Sequence, residues 1–198
     1  EKRLFFLEGN EVFTVMPRDD FMSIYRDAVN EDYATTSRQV YLRDYVPLPV
    51  SLLNTRRIGG TANQVDVPAD VTPGRGQRDV PTDLIGAAKV TGAAGDFRYG
   101  MLAAVENDVS WIGSDSAGLA TDIEGPGRDF AVARLTYEDI GRTRRSLGYM
   151  GTFVGGPLYD AAVHSIDAHY GAGSGKFKAD VQLISSDRAD IQGYGGMF

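Results

Sequence analysis

The sequence predicts an all-β protein: an antiparallel up-and-down meander, either a β-barrel or a soluble sheet, behind a largely irregular N-terminal segment that would plug or line such a barrel. Three observations predict it. From Leu84 onward apolar and polar residues alternate with a period of two, which gives a strand two unlike faces. Glycine-rich turns separate these runs at short, regular spacing. Residues 1–82 carry prolines, glycines and acids without sustained periodicity, so they divide from 83–198 as a different kind of segment.

Taken in order, Leu4-Phe5-Phe6-Leu7 is a compact apolar run that ends in the turn-like Glu8-Gly9-Asn10. Pro17 and Asp19-Asp20 suit the start of a short helix, with Phe21, Ile24, Tyr25 and Ala28 on one face. Val46 to Leu53 holds Pro47 and Pro49, so it is extended but excluded from a central strand. Gly59 to Pro81, rich in Gly, Pro, Asp and Thr, reads as a long irregular loop. Leu84 to Thr91 and Phe97 to Val105 then form a hairpin about Gly92 to Asp96. Asn107 to Arg128 reads as a long polar loop. Four more strands follow at Phe130 to Tyr137, Arg145 to Val154, Ala161 to Tyr170 and Lys176 to Ser185. In the last, Phe177, Ala179, Val181 and Leu183 oppose Lys176, Lys178, Asp180 and Gln182, and Ile184 breaks the rule. Asp187 to Asp190 turns again into a seventh strand from Ile191.

Composition narrows the function classes. The formal charge is 20 − 27 = −7 with no basic tract, which argues against a nucleic-acid partner. The absence of cysteine excludes disulfides, thiolate metal sites and a cysteine nucleophile. No run of apolar residues is long enough for a transmembrane helix, but barrel strands of about ten residues need be only half apolar. Lys, Asp, Gln, His and Ser in mid-strand suit a wet lumen. Tyr137, Tyr149, Phe153, Tyr159, Tyr170 and Tyr194 lie toward strand ends, as an interfacial girdle requires, and connections of unequal length suit the two rims of a barrel. A soluble sheet with one solvated face gives the same alternation, so pattern alone leaves both open.

Four stretches bear on that choice. Glu1-Lys2-Arg3-Leu4-Phe5-Phe6-Leu7-Glu8-Gly9 closely resembles the "EKRPFFLEG" opening of a bacterial outer-membrane family known as domain of unknown function 5916. Thr55-Arg56-Arg57-Ile58-Gly59 is similar to its "SRRIG" word, and Leu84 to Gly92 to its "ILGAAKLTG" word. Phe130 to Leu135 with Asp139-Ile140-Gly141 resembles its "F-x-V-x-R-x-x-x-D-I-G" strand and turn. The departures are Leu4 for the usual Pro, Asn54-Thr55 for an aromatic and Ser, and a long loop over 60–83. The resemblance implies a bacterial outer-membrane location, contact with outer-membrane lipid, and an upstream carbohydrate-binding-like domain in the same protein. It also implies that these 198 residues are an internal segment of a longer barrel, an expectation that the non-Met start at Glu1 matches.

The residues offer little reaction chemistry. His164 and His169 are an odd number of positions apart, so one strand points them to opposite faces and a shared ion is not expected. Gly171 to Lys176 lacks the spacing of a phosphate loop and reads as a hairpin turn. Asp115, Asp122, Glu124 and Asp129 lie among glycines and could offer oxygens to a Ca²⁺ cofactor, but their spacing matches no known calcium loop and solvated acids explain them better. Glu8 or Asp44 could serve a glycan hydrolase, but no spacing selects them, and no serine stands in a nucleophile setting. Arg56 and Arg57 are the candidate binding residues. Either they reach a ligand, or they anchor the N-terminal segment through Asp160, Asp167 or Asp180. The leading expectation is passage or surface handling of a glycan or small solute. A structural barrel that binds protein partners without transport is the alternative, and a glycan hydrolase the weakest.

Overall fold

The structure, a computed structural model, describes residues 5–6, 8–15, 51–62, 65–141, 143–172, 177–189 and 191–197. The helix expected over Asp19 to Ala28, the proline-bearing stretch at 46–50 and Asp44 lie outside them.

Among the described residues ten strands run in chain order: β1 Thr72–Pro73, β2 Leu84–Ala94, β3 Phe97–Glu106, β4 Val109–Ser114, β5 Ala120–Gly125, β6 Asp129–Ile140, β7 Arg144–Gly155, β8 Ala161–Gly171, β9 Lys178–Arg188 and β10 Ile191–Met197. Seven of them make one antiparallel sheet in the order β2-β3-β6-β7-β8-β9-β10. These are the seven strands that alternation predicts, and the fold is the expected all-β meander. Among the described residues β2 pairs only with β3 and β10 only with β9, so the sheet is not closed on itself.

Several details differ from expectation. The segment read as a polar loop between β3 and β6 contains the β4–β5 hairpin, paired from Val109–Gly125 to Ser114–Ala120. Its inward residues Val109, Trp111 and Ile123 bury against Ala62, Val65, Val67 and Val71, and β1 adds a third strand beside β4. The supposedly irregular 59–81 stretch therefore supplies this second small core. The last turn is also shorter than expected: Asp187 and Arg188 stay in β9, and the chain reverses at Ala189 with φ 50°.

The rims do not divide cleanly into short and long. One rim carries the connections 95–96, 141–143 and 172–177; the other carries 107–128, 156–160 and 189–190. The main core lies on one face of the sheet. Leu102 and Ala104 of β3, Phe130 and Val132 of β6, and Met150 of β7 pack there against Phe6, Phe13 and Ile58 of the N-terminal segment. Gly100 makes the fit possible, because a Cβ there would meet the Phe13 ring at 2.9 Å.

Candidate functional site

Period-two alternation fixes which side chains share the covered face, and their chemistry is unusual for a core. Beyond the apolar cluster it buries Glu106, Arg128, Arg134, Asp167, His169 and Gln182. Buried charges require partners, and each of the carboxylates and guanidiniums has one.

Arg134 of β6 reaches across β7 to Asp167 of β8. Its Nη2 donates to Asp167 Oδ2 at 2.9 Å and its Nη1 to Oδ1, a bidentate fork. The two residues are 3% and 5% exposed. Gly148 of β7, paired with Asp167 and two residues along from Met150, the partner of Arg134, is the condition for this bridge. A Cβ there would stand 2.6 Å from Arg134 Nη2 and 2.7 Å from Asp167 Oδ2. Beside it Gln182 Nε2 donates to Ser165 Oγ at 3.4 Å, and His169 Nδ1 shares a hydrogen bond with Asp180. Nearer the rim, Glu138 takes Arg144 at 3.0 Å and Arg98 at 3.5 Å.

A second pair ties the N-terminal segment down. Arg128 Nε and Nη2 donate to Glu106 at 2.7 and 2.9 Å. The spare capacity of both groups goes to the 57–61 backbone. Gly59 N–H donates to Glu106 Oε1 at 2.8 Å, while Arg128 Nη2 donates to the Arg57 and Thr61 carbonyls at 3.2 and 3.4 Å. Lys89 of β2 makes another anchor, donating from Nζ to the Phe5 and Glu8 carbonyls and lying over the Phe5 ring.

The opposite face of the sheet is open and apolar. Val90, Met101, Leu135, Leu147, Phe153 and Leu183 are among its exposed side chains. Phe97 packs on Tyr137 and Tyr170 on Phe177, both pairs at the 95–96, 141–143 and 172–177 rim. A shallow depression of about 530 Å³ crosses this face over Ala88, Ala103, Ala131 and Gly151 and ends at His164. His164 itself shares a 2.8 Å hydrogen bond with Tyr149 Oη.

The sequence candidates separate as follows. Arg56 and Arg57 sit in a short 3-10 turn with exposed side chains; what is anchored is the Arg57 carbonyl, not its guanidinium. Of the acids offered to them, Asp167 is engaged by Arg134, Asp180 by His169, and Asp160 accepts from Gly156 N–H at 3.4 Å. His164 and His169 do face opposite sides, one open and one buried. Asp115 caps the β4–β5 turn by accepting the Ala117 and Leu119 amides at 2.8 and 2.9 Å. Asp122 and Glu124 share the exposed side of β5, whereas Asp129 belongs to β6 of the main sheet. Among the described residues no three His, Asp or Glu gather as a metal group. Glu8 is exposed.

Sequence reasoning missed both buried pairs. Arg134 and Asp167 both lie on the covered parity of their strands, but only the register brings them across Gly148. No protein-family profile, curated protein or solved structure matches the chain.

Proposed function

We propose that the chain is a wall segment of a bacterial outer-membrane β-barrel, its open face turned to outer-membrane lipid and its covered face turned to a lumen lined by the N-terminal residues. One observation carries this reading: the open face of the main sheet is apolar, while the covered face buries ion pairs beside its apolar cluster. In a half-buried sheet in water the covered face is apolar and the open face polar. Here the covered face holds the bidentate Arg134–Asp167 and Arg128–Glu106 pairs, while Val90, Met101, Leu135, Phe153 and Leu183 stand in the open. Lipid outside and a polar interior reverse the cost of both choices. The four resembling stretches support the same reading, and the upstream carbohydrate-binding-like domain they imply makes a glycan-derived solute the substrate class. The covered side of β8 and β9 carries a polar strip of Ser165, Asp167, His169, Asp180 and Gln182, beside the apolar plug on β3, β6 and β7.

The alternative, a structural barrel that binds protein partners without transport, draws on a specific observation. Phe6, Phe13 and Ile58 pack directly on the inner side of the wall, and two charge-assisted anchors hold their segment there. Liposome swelling with the reconstituted protein separates the two. Entry of oligosaccharides at rates above protein-free vesicles is expected from passage; inserted protein with no flux of any sugar overturns passage and leaves the structural role.

A further inference from the structure

We infer that the lipid-contacting belt crosses the sheet obliquely, so that β3 is buried in acyl chains toward the 107–128 rim and β9 toward the 172–177 rim. The inference rests on the lipid reading above and deepens it by naming the belt and its margins.

The register aligns open-face residues into rows that run across the strands. One row is Ala103, Ala131, Phe153, Ala162, Asp187 and Gln192. It is apolar from β3 to β8 and turns polar at Asp187 of β9 and Gln192 of β10. A second row, nearer the other rim, is Asp139, Arg145, Tyr170 and Ala179, and it changes in the opposite sense. The apolar stretch of the open face therefore slides along the strands from one side of the sheet to the other. On β3 it spans Phe97 to Val105, centred on Met101; on β9 it spans Ala179 to Leu183, centred on Val181.

The slope has a magnitude. Val181 shares its row with Phe97, four residues from Met101, and so the belt centre moves about 14 Å along the strands at 3.4 Å per residue. Between β3 and β9 lie four strand spacings of about 4.8 Å, roughly 19 Å in all. The resulting angle is about 35°, the tilt that strands of a membrane barrel take to the bilayer normal. A flat membrane boundary cuts a tilted sheet in this way.

The slope also explains His164. It shares a row with Met101, at the belt's centre on β3, but on β8 that row lies toward the belt's margin, next to Ser185 and Tyr194. There it meets the headgroup region, where an imidazole and its Tyr149 hydroxyl partner have water and ester oxygens within reach. The margins carry the groups that a headgroup layer accepts: Asp139 and Arg145, 2.7 Å apart, on one side, and Asp187 and Gln192 on the other.

Spin labels on the full chain in phospholipid vesicles test it, since the sequence contains no competing cysteine. Ala103→Cys and Asp187→Cys share one row; Ala179→Cys and Arg145→Cys share the other. Labels at 103 and 179 are expected to collide several-fold more with dissolved oxygen than with a water-soluble nickel chelate, and labels at 187 and 145 the reverse. Met101→Cys against Ser185→Cys repeats the comparison without removing a charge. Equal preference within each row overturns the slope while leaving the lipid reading intact. Nickel access at every position sinks the lipid reading and the slope together. Low collision with both reagents at 103 and 179 overturns the inference in favour of a protein partner on this face.

Discussion

Removing the Asp167 carboxylate probes the covered face most sharply. In Asp167→Ala the Arg134 guanidinium keeps its charge, because no protein environment deprotonates arginine at ordinary pH. It cannot swing into water, being 3% exposed and spanning β7 above Gly148. An uncompensated buried charge of this kind costs about 3–5 kcal/mol, a large share of the roughly 5–15 kcal/mol that holds a domain folded. The double variant Arg134→Met/Asp167→Leu removes the charge along with its partner, and it should return to within about 1 kcal/mol of the parent or exceed it. Urea unfolding of the micelle-folded protein, followed by the strand signal in circular dichroism, reads both. With a slope of about 2 kcal/mol per molar, the single variant's midpoint falls by about 2 M while the double variant's hardly moves. A single-variant loss under about 1 kcal/mol, or a double-variant loss as large as the single one, refutes the idea that this pair is dry and mutually dependent.

Other perturbations follow from the same geometry. Gly148→Val places methyl groups where the Arg134–Asp167 fork lies and should cost about 1–3 kcal/mol in the same unfolding assay, more than Gly148→Ala. Arg128→Met strips the Arg57 and Thr61 carbonyls of their donor and leaves Glu106 buried, so trypsin should cut after the exposed Arg56 and Arg57 several-fold faster. Met101→Arg, at the centre of the belt on β3, should lower folding stability in vesicles by about 2–4 kcal/mol, whereas an exposed substitution in water stays within about 0.5 kcal/mol.

The seven strands of the main sheet were legible because alternation is a local property. Phe97, Tyr99, Met101, Ala103 and Val105 announce one face of β3 without reference to anything else in the chain. The β4–β5 hairpin was not legible, because its alternating Val109, Trp111 and Ile123 are set among Asp115, Gly118, Asp122 and Glu124. The core they enter is supplied by Val65, Val67 and Val71, some forty residues upstream. Alternation likewise gives Arg134, Asp167 and Glu106 a definite parity on their strands but cannot pair them. The Arg134–Asp167 contact depends on the register of three strands and on a missing side chain at 148; Glu106–Arg128 depends on where the inserted hairpin returns the chain. Arg56 and Arg57 drew notice by their charge, yet the described contact there is made by the backbone, which carries no residue-type signal. Which of the two faces is open could not be read from alternation at all, and that is the difference between a soluble sheet and a membrane wall.

Flotation with vesicles tests that difference most directly. Protein folded in detergent, mixed with phospholipid vesicles, dialysed and spun through a sucrose gradient should rise with the lipid, resist extraction by alkaline carbonate and keep its strand signal. A chain that stays at the bottom of the gradient, monomeric and folded in plain buffer, contradicts the account, because the apolar face would then tolerate water.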